Sequence, residues 1–126
     1  MPLISIVITS FNSKKTIERT VQSALLQDWE DTEIIVVDDF SKDSSFEILS
    51  NLAENNSKIT LLRHKKNKGY PAALNTAIKK SNGDFIAIFD GDDDNVKNRI
   101  SSQIAKILSY EKKYKKELIL CYSNRD

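Results

Sequence analysis

Short runs of β-branched and other apolar residues alternate along the chain with segments whose apolar residues recur at helical spacing. The runs that predict strands are Leu3–Ser10, Glu33–Val37, Ile59–Leu62, Asp84–Asp90 and Leu118–Tyr122. Because the second run is continuously apolar after its first residue, it is typical of a strand covered by helices on both faces. The order β-α-β-α-β-α-β-α-β predicts an α/β fold with a doubly wound, mostly parallel sheet and right-handed crossovers.

The intervening segments carry apolar residues three and four positions apart, which predicts one sheet-facing stripe on each helix. These stripes are Ile17, Val21, Ala24 and Leu25; Phe46, Leu49, Leu52 and Ala53; Leu74, Ala77 and Ile78; and Ile100, Ile104, Ile107 and Leu108. Polar residues and proline mark the predicted helix starts: Asn12 or Ser13 as a cap, Ser44 with Glu47 as a capping box, and Pro71 in a first turn.

Composition places the chain among ordinary single-domain globular proteins. It has 126 residues, of which 40% are hydrophobic and 29% charged, so we expect one domain over residues 1–126. Lys+Arg 19 against Asp+Glu 18 leaves a formal net charge of +1, which provides no global field for nucleic acid. We therefore expect no nucleic-acid partner.

The counts of cysteine and histidine and the pattern of hydropathy limit the kinds of site and the cellular location that we expect. A single cysteine, Cys121, and a single histidine, His64, exclude intrachain disulfides and zinc clusters. No apolar run is longer than Phe85–Phe89, which is far shorter than the about 20 residues of a membrane-spanning helix, so we expect no transmembrane segment. Because the start, Met1 to Leu3, has no export signal, we expect a cytoplasmic protein.

Glycine positions exclude two common ways of binding phosphate. The glycines are Gly69, Gly83 and Gly91, too far apart for a dinucleotide-binding turn or a phosphate-binding loop. In doubly wound sheets, ligands bind outside the carboxyl ends of the strands. Polar residues that follow the predicted strands are therefore the candidate site residues.

An acidic cluster follows the fourth predicted strand. Aspartates occupy positions 84, 90, 92, 93 and 94, with no Lys or Arg among them. Two carboxylates about 5 Å apart repel by about 3 kcal/mol at an effective dielectric near 20, so such a cluster favours a bound cation. Hard ions such as Mg²⁺ or Mn²⁺ fit oxygen ligands. The alternative is that Asp92 to Asp94 cap the next helix, although this does not explain Asp90.

Two further strand ends suggest nucleotide contacts. Asp38 and Asp39 could accept hydrogen bonds from a nucleobase imide or from ribose hydroxyls, or could simply open a turn. In the basic stretch that starts at Arg63, Lys68 beside Gly69 is a candidate phosphate contact near a helix start, or ordinary solvated surface. His64 is predicted to be a strand-end surface residue.

Three ordered segments resemble the inverting family 2 glycosyltransferases of the GT-A fold. They are ISIVITSFNSKKTIERTVQSALLQ, EIIVVDDFSKDSS and NKGYPAALNTAIKKSNGDFIAIFDGDD, which resemble the opening strand and helix, the acidic turn, and the helix leading into the D-x-D strand. The resemblance implies a nucleotide-diphosphate sugar donor, in most relatives UDP-linked, and a saccharide or glycan acceptor in polysaccharide biosynthesis.

The resemblance also implies roles for individual residues. It places Thr9 and Phe11 in the base pocket, Asp39 against the base, Asp38 beneath that turn or at the ribose, and Lys68 and Gly69 near the nucleotide. Asp90 and Asp92 occupy the D-x-D positions, with Asp92 as the direct ligand of Mn²⁺ or Mg²⁺, and Asp93 reaches ribose, sugar or metal.

Family members continue beyond the point that corresponds to Asp126 and carry their general base there. We therefore expect residues 1–126 to be the donor-binding part, to transfer sugar poorly or not at all, and to lie in the cytoplasm or at the inner face of the membrane.

Two alternatives to a glycosyltransferase stay open. A phosphorelay receiver domain also has an acidic pair at one strand end, and a nucleotidyltransferase-like module is also built on a related sheet.

Overall fold

The computed structural model describes residues 1–90 and 96–114 and shows strands alternating with helices. The elements are β1 (Ile4–Ser10), α1 (Ile17–Leu25), β2 (Thr32–Asp38), α2 (Ser45–Asn55), β3 (Ile59–Arg63), α3 (Tyr70–Lys80), β4 (Phe85–Asp90) and α4 (Arg99–Tyr114). The predicted alternation is confirmed from β1 to α4. The predicted last strand, at 118–122, lies outside the described residues.

The described strands form one four-stranded parallel sheet in the order β3-β2-β1-β4. From β1 the chain moves outward to β2 and β3, then crosses back and places β4 on the other side of β1. The direction of winding therefore reverses between β1 and β4. In open α/β sheets a ligand crevice forms at such a reversal, outside the carboxyl ends of the strands.

Helices cover both faces of the sheet, which confirms the doubly wound prediction. On one face, Ile6 and Ile8 belong to a core that also includes residues of α1, α2 and α4. On the other face, Val7 packs with Ala73 and Ala77 of α3. Since β1 is covered on both sides, almost all its residues are buried.

Strand β4, at one edge of the sheet that the described strands form, is covered mainly on one face by the described elements. Its Phe89 is fully buried, but Ile86 and Ile88, which point to the opposite side, are 42% and 40% exposed. The helix on that side, α3, packs across β1 and β2. The exposed apolar face of β4 therefore lies next to α3 rather than beneath it.

Helix α1 begins later than its polar residues predict. Its N-cap is Thr16, so the prediction of Asn12 or Ser13 as the cap is wrong. The Ser13 carbonyl accepts hydrogen bonds from the amides of Thr16 and Ile17 at 2.9 and 2.8 Å. The Ser13 amide itself donates to Ser45 Oγ at 2.8 Å, so a turn bonded to the start of α2 precedes the helix.

The start of α2 also differs from the prediction. Ser44 occupies the N-cap position, but its side chain forms no capping hydrogen bond, so the predicted capping box with Glu47 is wrong. The side chain of Asp43 accepts the hydrogen bond at the start of α2 instead, since its Oδ1 accepts from the Ser45 amide at 2.9 Å. Its Oδ2 accepts from the Lys14 amide at 3.2 Å. Burial raises the pKa of Asp43, but the bonds from Ser45 and Lys14 outweigh this effect and hold it below its ordinary value.

Helix α4 presents a partly apolar face to the sheet. Ile100, Ile104 and Ile107 are buried as predicted, whereas Leu108 is 46% exposed and does not belong to that face. Among the helices of residues 1–90 and 96–114, none combines the length and apolar character that crossing a bilayer requires.

Candidate functional site

The strand register brings three predicted site residues to one edge of the sheet. Thr9 pairs with Asp90 of β4 on one side and with Val37 of β2 on the other. Ser10, the next residue, pairs with Asp38. Residues far apart in sequence therefore meet at the carboxyl ends of β1, β2 and β4, where the winding reverses.

Asp38 supports the turn that follows β2. Its carboxylate is fully buried, and Oδ1 accepts from the Ser41 hydroxyl at 2.6 Å while Oδ2 accepts from the Ser41 amide at 2.9 Å. Arg63 Nε lies 3.5 Å from the same Oδ2. Because the carboxylate holds both the amide and the hydroxyl of Ser41, three residues on, with Arg63 beside it, Asp38 shapes the loop that carries Asp39.

Asp39 is held by the loop between β3 and α3. Its Oδ1 accepts from the Lys68 amide at 2.9 Å and lies 2.7 Å from His64 Nδ1, and its Oδ2 accepts from the Gly69 amide at 2.9 Å. Asn67 Nδ2 donates to the Asp39 carbonyl at 3.1 Å. The predicted residues Asp39, Lys68 and Gly69 therefore form one cluster.

The ionised form of Asp39 is favoured by these donors. Burial of the side chain raises its pKa, but the Lys68 amide, the His64 ring and the Gly69 amide together hold the pKa below the ordinary aspartate value. Gly69 has a φ of 92°, which an L side chain rarely adopts, so glycine suits the amide that points at Asp39. The result is a carboxylate kept charged and fixed at the crevice.

His64 is a residue whose environment the sequence reasoning missed. It was predicted to lie on the surface, but it is 7% exposed, so that prediction is wrong. Its ring lies between Asp39 and Thr76, whose Oγ1 is 2.8 Å from His64 Nε2. No local pattern shows this, because one partner lies directly after β2 and the other lies on α3.

Phe11 is exposed at the end of β1, in a loop held by the neighbouring turn. Its ring is 48% exposed. The next residue, Asn12, has a left-handed φ of 51°; its amide donates to Ser41 Oγ and its Oδ1 accepts from the Lys42 amide, both at 2.9 Å. These bonds hold the predicted base-pocket loop against the turn after β2.

A second exposed aromatic residue, Phe40, follows Asp39 directly. Phe40 is 37% exposed and has a φ of 63°, an uncommon backbone conformation for a bulky residue. The guanidinium carbon of Arg63 lies 5.5 Å from its ring centroid and 4.4 Å from that of Phe46. Arg63 also donates to the Ser41 carbonyl at 3.0 Å, so this cation ties the turn to α2.

Asp90 is the described member of the D-x-D pair. Its Oδ1 accepts a hydrogen bond from the Tyr70 hydroxyl at 3.2 Å, across the crevice between β4 and α3. The predicted ligands Asp92 and Asp93 lie outside the described residues. Within residues 1–90 and 96–114, no three side chains of the His, Cys, Asp or Glu type gather as a metal site.

The fold and this edge define an α/β domain of the GT-A type, with a ligand crevice at the carboxyl ends of parallel strands. Residues 5–114 match the sequence profile described as glycosyl transferase family 2, and the chain belongs to that family.

Three comparisons show the extent of the likeness. The UDP-Glc:alpha-D-GlcNAc-diphosphoundecaprenol beta-1,3-glucosyltransferase WfaP of Escherichia coli is 40% identical over 104 residues, which are 82% of this chain and 41% of that protein. The crystal structure of S. aureus TarS 1-349 in complex with UDP superposes with a TM-score of 0.77 at 28% identity, over 86% of this chain and 33% of that one. The mannosyltransferase PcManGT from Pyrobaculum calidifontis, in complex with GDP-Man and Mn²⁺, gives a TM-score of 0.68 at 27% identity, over 72% of this chain and 28% of that one. This chain thus spans about two fifths of the length of WfaP, since the match covers 41% of that protein.

The strand order and the family match both argue against the alternatives considered from sequence. In a receiver domain the first strand lies between the second and third. Here β1 lies between β2 and β4, so the receiver interpretation is wrong. The match to a transferase family over residues 5–114 likewise replaces the nucleotidyltransferase interpretation.

Proposed function

We propose that this chain binds a nucleoside-diphosphate sugar, UDP-linked, and that the protein transfers the sugar to a hydroxyl of a saccharide or glycan acceptor with inversion. The observation that carries this proposal is the Asp39 carboxylate, kept ionised at the reversal point of the sheet by the amides of Lys68 and Gly69. The Asp39 amide donates to the Ser10 carbonyl at 2.8 Å, so the backbone of Asp39 lies next to the strand end that leads into Phe11. A carboxylate beside an exposed aromatic ring suits a nucleobase, which offers imide N–H groups at its edge and a flat face for stacking.

The relatives support a UDP-linked donor. WfaP is named as a UDP-Glc-dependent glucosyltransferase, and the TarS structure contains UDP. The acceptor in the name of WfaP is a lipid-linked diphosphate sugar. A membrane-linked acceptor is consistent with our proposal that this protein acts in the cytoplasm or at the inner face of the membrane, in polysaccharide biosynthesis.

The proposed reaction is a single in-line displacement. The acceptor oxygen forms a bond to the anomeric carbon while the bond from that carbon to the nucleotide diphosphate breaks, and the acceptor proton passes to a general base. We propose that this general base lies beyond Asp126, as the resemblance to the family implies. Within the described part, Asp39 and Phe11 orient the nucleobase of the donor, and the loop at Lys68 and Gly69 lies near the nucleotide.

The acidic end of β4 fits a divalent cation, which we propose as Mn²⁺ or Mg²⁺ on Asp92 with Asp90. Asp90 is a partly buried carboxylate whose Oδ1 is oriented by the Tyr70 hydroxyl, and carboxylate oxygens are ligands that these ions prefer. Asp93 is proposed to reach the ribose, the sugar or the same ion. A cation bound there would neutralise the charge that develops on the departing diphosphate.

Calorimetric titration of UDP, GDP and dTDP, each with and without Mn²⁺, tests the proposal. We expect UDP to bind and Mn²⁺ to strengthen its binding. Asp39→Asn should weaken UDP binding, since an amide presents a donor where the base presents its own N–H. Asp84→Asn is the matched control, because Asp84 bonds the Leu3 amide at the opposite end of β4. Absence of binding to every nucleotide would contradict the proposal.

A further inference from the structure

His64 is a buried titratable residue that the proposed reaction does not use. It follows β3, and its amide donates to the Asp38 carbonyl at 2.9 Å, which fixes the backbone beside the acidic turn. Its ring is wedged between two oxygen atoms, with Nδ1 2.7 Å from Asp39 Oδ1 and Nε2 2.8 Å from Thr76 Oγ1. Both ring nitrogens therefore have a partner on another element.

The chemistry of these partners determines which nitrogen carries a proton. An ionised carboxylate can only accept, so His64 Nδ1 must donate to Asp39 Oδ1. The Thr76 hydroxyl lies within reach of both His64 Nε2 and the Ala72 carbonyl, at 2.8 and 3.0 Å, and has one proton to give. Whichever of the two receives it, the Nδ1–H bond to Asp39 is unchanged.

This bond leaves few open positions on the Asp39 carboxylate. An ionised carboxylate offers about four acceptor positions, two on each oxygen. On Oδ1, both are taken by His64 Nδ1 and the Lys68 amide. On Oδ2, the Gly69 amide takes one. Among the residues that the structure describes, one acceptor position of this carboxylate therefore remains without a donor, and it is on Oδ2.

A single open position distinguishes nucleobases by their donors. Uracil presents one imide N–H between two carbonyl groups, which suits one acceptor position. Guanine presents a ring N–H and an adjacent amino group, which pair with a carboxylate best when both oxygens are free. Thymine carries the same imide as uracil and is not separated by this feature.

We propose that His64 is a positioning residue which, by occupying Oδ1 of Asp39, restricts this carboxylate to one nucleobase donor and so favours uracil over guanine. The inference rests on the proposed function, because it assumes that Asp39 meets the base. The role of His64 is indirect, since it acts through the carboxylate and not on the nucleotide.

Substitutions at position 64 separate this role from simple packing. His64→Asn places an amide N–H where Nδ1 lies, whereas His64→Gln extends its amide towards the position of Nε2 and Thr76. His64→Ala removes both donors. UDP and GDP are titrated by calorimetry in the presence of Mn²⁺ into the purified protein and each variant, and the ratio of the two affinities is compared.

We expect the unmodified protein to prefer UDP. His64→Ala and His64→Gln should lower the UDP-to-GDP ratio about tenfold, the size of a lost hydrogen bond to a charged group, while His64→Asn should keep it within about threefold. If His64→Ala binds UDP but its UDP-to-GDP ratio is unchanged, the inference about His64 is overturned and the proposed function still holds. Binding of neither nucleotide to the unmodified protein would overturn both.

A spectroscopic measurement tests the same bond without any substitution that could impair folding. Because the chain has a single histidine, long-range ¹H–¹⁵N NMR spectra report His64 without ambiguity. We expect Nδ1 to be protonated both before and after UDP is added. A ring protonated only on Nε2 would show that Asp39 receives no bond from His64, and would overturn the inference even if every variant failed to fold.

Discussion

The Tyr70 hydroxyl donates a hydrogen bond to Asp90 Oδ1 over 3.2 Å and so joins the first turn of α3 to the end of β4. These two elements border the crevice where the winding of the sheet reverses. Tyr70 is 49% exposed. The bond restrains a carboxylate that we propose as a cation ligand.

Tyr70→Phe should weaken Mn²⁺-dependent UDP binding about fivefold, because one hydrogen bond of about 1 kcal/mol no longer orients Asp90. The free energy of unfolding should change by less than about 1 kcal/mol, since the hydroxyl is at an exposed position. Calorimetry and urea denaturation measure the two effects. Equal UDP affinity for both proteins in the presence of Mn²⁺ would contradict the role of this bond.

Asp92→Asn should abolish the Mn²⁺ dependence of UDP binding, because a neutral amide is a poorer ligand for a hard cation than a carboxylate. The free energy of unfolding should change by less than about 0.5 kcal/mol, since asparagine has almost the same size and shape as aspartate. Asp94→Asn is the matched control, with the same loss of charge two residues away. If Asp92→Asn and Asp94→Asn behave alike, the assignment of Asp92 as the metal ligand is wrong.

Acidification should destabilise the fold through Asp39 and Asp43. The pKa of each lies below its ordinary value, so the unfolded chain binds protons more readily than the folded one. Their contribution to stability is complete above the unfolded aspartate pKa of about 3.9 and is lost as the pH falls through the lower folded values. Urea midpoints should therefore fall most steeply below about pH 4.

Asp43→Asn tests how much one of these two carboxylates contributes to the pH dependence of stability. The variant should be less stable at pH 7, because the Ser45 amide loses a charged acceptor. Its urea midpoint should also depend less on pH below about pH 4, since one titrating group is gone. Identical pH profiles for the variant and the original would show that Asp43 does not contribute to acid unfolding.

Arg63→Lys should lower the free energy of unfolding by about 1 kcal/mol, because an ammonium group cannot stack between two rings as a planar guanidinium does. A double-mutant cycle with Phe46→Leu isolates the stacking term, since the guanidinium carbon lies 4.4 Å from that ring centroid. We expect the two substitutions together to cost less than the sum of their separate effects. Strict additivity would argue against the stacking interaction.

The layered fold could be predicted because its pattern is local. A strand such as β2, buried on both faces, is continuously apolar from Ile34 to Val37, and a helix such as α1 repeats its apolar residues at Ile17, Val21 and Ala24. Helix starts were less predictable. The cap of α1 lies at Thr16, and the Ser13 amide bonds Ser45 Oγ, a residue 32 positions away that no local rule includes.

The candidate site was predictable only where it follows strand ends. Asp38, Asp39 and Asp90 could be proposed because the carboxyl edge of a parallel sheet is where ligands bind. The role of His64 could not, because its contact with Asp39 spans 25 positions and depends on how the loop after β3 folds back over the turn after β2. A histidine next to a basic stretch carries no sequence signal of burial.

The pairing of β1 with both of its neighbours fixes the length of this strand more strictly than its composition. Ile4 pairs with Thr32 and Phe85 at one end, and Thr9 pairs with Val37 and Asp90 at the other. One inserted residue would turn the side chains beyond it to the opposite face of the sheet. It would also shift the carboxyl end of β1 relative to the ends of β2 and β4. Divergence among such enzymes can therefore exchange the residues at the tip of this strand, and with them the ligand, but insertions and deletions must fall in the connecting loops.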